Sequence, residues 1–439
     1  MEGRNLSFLT DALTGVTAAV GAEYMTLIII VLTLILFAMD KLPMGFVAML
    51  SAIVLGITGC MSLSKIYSGW SSSLVIMLIG MMIVGDAMFQ TGAVLMIGRN
   101  IMRSKFAQNE RAVMAIIMLL SGVLSAFLSN TAVVATFIPL IGAMVASSGG
   151  TLRQKHLMMP LGFAAAMGGT LTVIGSTSQP MVNTVLEGQG LELMPIFSIL
   201  PVAAPSFIFM IVYMVTVGYK MFPKVLDFED QVPDVDATAI EAFKPTWRTW
   251  VSIGTLVFCV FGFFSGIWDT AVVALIGAAI AIITGCVDFK GAFKRVDWNT
   301  ITVMAFAQGI AAAMNDSGAG AMIANWVVDM VGDNLWLQMA GCVIVNTVLT
   351  NIMSNTATAA MMAPIYILIA SHLGVSYFPF MIAIAVATNL TAATPIGGTA
   401  VTMTSQAGYR FSDFVKIGTP MNIAWAIITI IMTLIVYPF

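Results

Sequence analysis

Charge is what this sequence has least of. Only 9% of its 439 residues are Asp, Glu, Lys or Arg, against about 25% in a soluble globular chain. Too few ionisable groups are present to coat a water-exposed surface, and no basic stripe is available for a nucleic acid. Histidine is rarer still. His156 and His372 each stand at the end of an apolar run, which reads as a boundary position rather than a proton relay. The four cysteines, Cys60, Cys259, Cys286 and Cys342, lack metal-ligand spacing and lie in or beside apolar segments, so they read as packing thiols. No nucleophile–base pair or metal constellation is legible, which argues against an enzyme. The first 22 residues have neither a basic start nor a cleavage site, so no signal peptide is expected.

Apolar residues are abundant. They make up 59% of the chain, and the mean hydropathy is +0.98. Runs of about 20 apolar residues recur, the length a helix needs to cross a bilayer. An all-α polytopic membrane protein is expected, with lipid around most of its surface.

The chain repeats itself. Ile-Thr-Gly-Cys occurs at Ile57 and again at Ile283, 226 residues later. Thr-Gly-Ala from Thr91 faces Ser-Gly-Ala from Ser317 at the same offset. Ser-Asn-Thr occurs at Ser129 and at Ser354, each with a Pro ten residues on, at Pro139 and Pro364. Ser125 and Thr350 lie four residues before them. A register held over some 80 residues divides the chain into two halves, 24–220 and 249–439, after an N-terminal segment 1–23 and around a charged linker, 221–248. Halves of this kind are a feature of secondary transporters.

Basic residues orient the chain, because Lys and Arg near helix ends stay cytoplasmic. Arg99, Arg103, Lys105 and Arg111 precede the first Ser-Asn-Thr run, and Arg153 and Lys155 follow it. Residues 112–150 therefore read as a re-entrant hairpin entered from the cytoplasm. The second run, 335–371, is flanked by Asp329, Asp333 and His372 and reads as a hairpin entered from outside. The crossings in between agree in parity, so the two halves are inverted. Each half has a second interruption. It is Gly168–Pro180, "GGTLTVIGSTSQP", within a span at 157–190, and Ala387–Thr399, "ATNLTAATPIGGT", within 378–407. Both read as broken helices.

A hairpin tip at membrane depth is tolerable only where protein or a cavity satisfies its backbone. It offers carbonyl and hydroxyl oxygens to a small hard cation, and helix N-termini to an anion. No Lys or Arg falls in the four interrupted segments, so an anion there would be held by dipoles, hydroxyls, amides and a nearby cation. Asp86 is the one acid well inside an apolar run, and an acid in that setting is a candidate proton site.

The paired Ser-Asn-Thr hairpins, each followed by a broken helix, and the stretch "GYRFSDFVKIG" at Gly408–Gly418 resemble the divalent anion:sodium symporter family. The resemblance covers nearly the whole chain from Tyr24. It implies an elevator-type homodimer, in which hairpins and broken helices carry the site past a scaffold. It implies one sodium site at Ser125, Ser129, Asn130 and Gly175 and another at Thr350, Met353, Asn355 and Ala393. Substrate would meet Asn130, Thr131, Ser176, Ser354, Asn355, Thr356, Thr394 and Pro395. The function implied is sodium-coupled symport of C4-dicarboxylates such as succinate, malate or fumarate across the inner (plasma) membrane. Where the family usually has two prolines and an Asn, this chain has Thr177, Ser178 and Gln179. Sulfate, a tricarboxylate, sodium-independent exchange and, further off, sodium/proton antiport through Asp86 are the alternatives.

Overall fold

The computed structural model describes residues 17–39, 41–102, 108–230, 243–322, 334–395 and 398–439. Asp329 and Asp333 of the topology argument, Arg103 and Lys105, and the first 16 residues lie outside them. All regular structure among the described residues is helical.

In the first half the helices are α1 (Ala22–Met39), α2 (Met44–Ile57), α3 (Ser73–Gln90), α4 (Ala93–Met102), α5 (Glu110–Ser125), α6 (Asn130–Ser147), α7 (Gln154–Gly168), α8 (Ser178–Gly188), α9 (Leu200–Tyr213) and α10 (Tyr219–Val225). The second half has α11 (Trp247–Ser265), α12 (Thr270–Ile283), α13 (Phe289–Arg295), α14 (Trp298–Asp316), α15 (Leu335–Thr350), α16 (Asn355–His372), α17 (Phe378–Ala387), α18 (Thr399–Thr404) and α19 (Phe411–Val436). A short 3-10 helix at Leu63–Ser71 precedes α3, and a π-turn at Met214–Gly218 joins α9 to α10. Five of these helical stretches are long and apolar enough to cross a membrane. Many large apolar side chains on the outer faces, among them Val31, Ile208, Phe261 and Ile283, are exposed, as lipid contact requires.

The repeat is visible as repeated geometry. Helices α2 and α12 end in the same turn. Gly59 and Gly285 take φ of 78° and 68°, a left-handed conformation that costs glycine nothing. This lets Cys60 N–H reach the Leu55 carbonyl at 3.0 Å and Cys286 N–H reach that of Ala281 at 2.9 Å, closing a Schellman turn. The hairpins coincide residue for residue. Helix α5 matches α15, and α6 matches α16, at an offset of 225. Their starts are capped alike. Asn109 accepts from the N–H groups of Arg111 and Ala112, and Asn334 from those of Trp336 and Leu337.

The first broken helix follows from a close approach. A Cβ at Gly168 would lie 2.2–2.6 Å from the Gly122 backbone, so α5 and α7 touch backbone to backbone. Beyond Gly168 the chain makes one 3-10 turn, extends at Thr172, and restarts as α8. The second break lies between α17 and α18, with residues 396 and 397 outside the described ones.

Two ion pairs stitch the halves together with inverted roles. Lys65, in the short helix before α3, bonds Asp316 at the end of α14, at 2.7 Å. Arg295, in the short helix before α14, bonds Asp86 near the end of α3, also at 2.7 Å. Asp86, the candidate proton site, is thus held by a guanidinium, with Arg295 Nε 2.8 Å from both its oxygens.

His156 is the third residue of α7. It is buried at 4% exposure, stacked on Phe222 at 5.0 Å, with Nδ1 3.0 Å from Glu110 Oε2. The Tyr219 hydroxyl donates to the same oxygen at 2.7 Å, and Arg153 N–H donates to Oε1 at 2.8 Å. The base of the first hairpin is thereby locked to α7 and α10. Burial alone would push the Glu110 carboxyl up, but these hydrogen bonds and the charge of His156 outweigh it and hold the group below its ordinary 4.5. A lowered carboxyl stabilises the fold above its unfolded value and loses that contribution as pH falls through the folded one. Glu110→Gln is therefore expected to cost about 1–3 kcal/mol at neutral pH. It should also flatten the loss of melting temperature below pH 4.5, measured by thermal unfolding in detergent. An unchanged pH profile would free Glu110 of this role.

Candidate functional site

Both hairpin tips are closed by the same clasp. The last residue of the descending helix donates its hydroxyl to the amide oxygen of the first residue of the returning one. Ser125 Oγ reaches Asn130 Oδ1 at 2.5 Å, and Thr350 Oγ1 reaches Asn355 Oδ1 at 2.7 Å. Both hydroxyls are fully buried. A turn at depth leaves helix-end carbonyls and N–H groups without helical partners, and the clasp holds those ends in register. The Thr350 hydroxyl shares its single proton between Asn355 Oδ1 and the Thr388 carbonyl, 2.5 Å away, and Asn351 Nδ2 donates to the Leu390 carbonyl at 2.6 Å. The second tip is thus seated in the second break.

The first tip is seated in the first break. The Asn130 amide lies against Gly169, where a Cβ would come within 2.5 Å of Oδ1. Beside Gly175 three carbonyl oxygens converge, those of Gly169, Ser125 and Ala126, at 2.6, 2.7 and 2.8 Å from the point a Cβ would occupy. Such an oxygen-lined hollow offers the donor type that a small hard cation takes, with the Ala126 carbonyl also accepting from the Thr172 hydroxyl. It includes the carbonyls of Ala126 and Gly169, which the sequence reading missed. The Gly168–Gly169 doublet was the available signal.

The breaks also join the two halves. Asn389, fully buried, accepts from Ser176 Oγ at 2.9 Å and from Asn355 Nδ2 at 3.2 Å, and donates to Ser178 Oγ at 2.7 Å. Gln179 Nε2 donates to the Ala385 carbonyl at 3.0 Å. The Thr177 and Thr356 hydroxyls lie 2.6 Å apart. The departures at 177–179 therefore all reach across to the second half. Asn389 was not among the expected site residues, because a lone Asn beside Thr388 and Leu390 carries no pattern of its own.

The remaining expected residues fall as follows. Thr131, exposed, pairs with Thr399 of α18 at 3.0 Å. Ser129 is exposed and its side chain makes no cap bond, whereas Ser354 caps α16 through Ala357 N–H at 3.2 Å. Thr394 Oγ1 donates to the Asn351 carbonyl at 2.9 Å, and the Pro395 carbonyl accepts from Thr402. Met353 is buried in the second tip, and Ala393 lies half-buried beside Thr394. Helices α6, α8 and α16 all begin in this region, so their positive ends can favour an anion.

Residues 34–270 and 263–438 match the citrate transporter family. The chain is 22% identical to the uncharacterised transporter YfbS of Escherichia coli (strain K12), over 94% of this chain and 98% of that one. It is also 22% identical to the sodium-dependent high-affinity dicarboxylate transporter 3 of Caenorhabditis elegans, over 89% of this chain and 79% of that one. Its fold is similar to that of the Alcanivorax borkumensis YdaH transporter, with a TM-score of 0.61 and 14% identity over 94% and 96% of the two chains.

If the clasps and the hollow form one working site, small changes should disable it. Asn130→Ala and Asn355→Ala are each expected to slow transport at least about tenfold, the effect of losing one buried hydrogen-bonded group. Gly175→Ala would place a methyl among three carbonyls and is expected to do the same. Near-normal uptake by any of the three, assayed in vesicles at matched expression, would remove that residue from the site.

Proposed function

This chain belongs to the citrate transporter family, and from that premise we propose that it is a sodium-coupled symporter of divalent organic anions, C4-dicarboxylates first among them. One observation carries the reading: two hydroxyl–Asn clasps at equal places in two halves, each seated in a broken helix. The oxygen-lined hollow beside Gly175 would take one sodium ion, with Ser125, Ser129 and Asn130. Thr350, Met353, Asn355 and Ala393 would frame a second. The anion would lie between the tips, against Asn130, Thr131, Ser176, Ser354, Asn355, Thr356, Thr394 and Pro395.

Coupling follows from what the site lacks. No Lys or Arg lies in the interrupted segments, so an anion there meets only partial charges unless sodium binds first. The ion supplies the charge, and the anion binds weakly in its absence. The same hairpins and breaks would form the moving body of an elevator in a homodimer, in the inner membrane.

A more polar ligand, sulfate or a tricarboxylate, was the reason to weigh Thr177, Ser178 and Gln179. All three are engaged with the second half, and Ser178 and Gln179 are fully buried, which supports the dicarboxylate reading. Antiport through Asp86 is disfavoured by its bond to Arg295.

The test is uptake of labelled malate into proteoliposomes with and without an inward sodium gradient, with unlabelled succinate, citrate or sulfate as competitors. Sodium-driven uptake competed by succinate and untouched by sulfate is expected. Uptake that ignores sodium but requires internal dicarboxylate would replace symport by exchange. Thr350→Ala is expected to raise the sodium concentration for half-maximal rate about tenfold, the worth of one buried hydrogen bond. An unchanged sodium curve would dismiss the second ion site.

A further inference from the structure

We infer that Asn389 aims the Ser176 hydroxyl away from the ligand, so that the first break presents a hydrogen-bond acceptor and selects carboxylates that carry a hydroxyl of their own. The inference rests on the proposal that Ser176 meets the substrate.

The direction of each proton follows from the Ala385 carbonyl, with the Thr350 hydroxyl sharing its proton between Asn355 Oδ1 and the Thr388 carbonyl. Gln179 Nε2 lies 3.0 Å from the Ala385 oxygen, so the nitrogen of that amide must face Ala385. Its oxygen then faces Ser178 Oγ, at 3.4 Å, and Ser178 donates there. Ser178 Oγ must therefore accept from Asn389, 2.7 Å away, which places the Asn389 nitrogen on that side. The same nitrogen lies 3.4 Å from the Ala385 oxygen, an acceptor only, in agreement. The Asn389 oxygen is left facing Ser176 Oγ at 2.9 Å and Asn355 Nδ2 at 3.2 Å. A carbonyl oxygen only accepts, so Ser176 donates its single proton to Asn389.

Ser176 is half-buried, and toward the ligand position it has only lone pairs to offer. A substrate carboxylate can take that proton only by removing it from Asn389. A substrate hydroxyl finds its acceptor already in place. A site built to pair a substrate hydroxyl discriminates strongly against the analogue without one. Malate should therefore bind better than succinate, and citrate better than tricarballylate. Each pair differs by one hydroxyl.

The experiment measures the ligand concentration for half-maximal thermal stabilisation of the purified protein in saturating sodium, for both pairs. Wild type is expected to favour malate over succinate by roughly tenfold. Ser176→Ala and Asn389→Leu should each bring that ratio near one, and Ser176→Thr should restore it. The ratio is a readout that general damage to the fold would not move. Equal affinity of wild type for malate and succinate overturns the inference, as does a wild-type ratio that survives in Ser176→Ala. Should Asn389→Leu fail to fold, the serine variants still decide. If only the tricarboxylates bind, the C4 reading fails alone and the citrate–tricarballylate ratio answers the same question. Stabilisation by sulfate and by none of the four acids would sink both.

Discussion

A polypeptide end inside an apolar slab must find partners for its backbone, and this constraint shapes the whole chain. A re-entrant hairpin, as proposed for both Ser-Asn-Thr segments, stops two helices at depth, leaving carbonyls on one side of the tip and N–H groups on the other. The clasps from Ser125 to Asn130 and from Thr350 to Asn355 hold those ends in register. The broken helices then supply what the clasps cannot: Gly169 against the Asn130 amide, and the Thr388 and Leu390 carbonyls against the second tip. Each tip and its break are packed as one unit.

The same arrangement explains why polar side chains accumulate where no charge does. Full charges at membrane depth are costly, and several ionisable groups near helix ends are paired. Arg295 holds Asp86, Lys65 holds Asp316, and Glu110 binds His156 and Tyr219. Between those ends the work is left to hydroxyls, amides and oriented backbone dipoles. A site made of partial charges binds ions jointly more easily than singly, which is the physical root of the coupling proposed above.

Inverted repetition also governs how the halves meet. The two outer ion pairs exchange roles between halves, short helix of one to long helix of the other. At the centre the departures Thr177, Ser178 and Gln179 all reach into the second half. A buried polar network of this kind specifies one relative placement of two apolar bodies, where greasy packing alone tolerates sliding.

Much of this was legible in the sequence. Composition alone settled the class, since long apolar runs with few charges have one stable solution in lipid. The recurrence of Ile-Thr-Gly-Cys and of Ser-Asn-Thr marked the halves, because a left-handed turn and a polar tip each demand particular residues at particular spacing. Contacts between distant segments could not be read. Nothing near Asn389 in the chain says that it meets Ser176 and Asn355, and nothing near His156 names Glu110. The hollow beside Gly175 is built from carbonyls, which every residue possesses, so residue identity carries almost no trace of it. Sequence by itself determined the helices, the repeat and the polar tips, through local backbone chemistry and hydropathy. Only the tertiary structure decided which oxygens face one another and which way each proton points, because those depend on segments that meet in space across some 200 residues of chain.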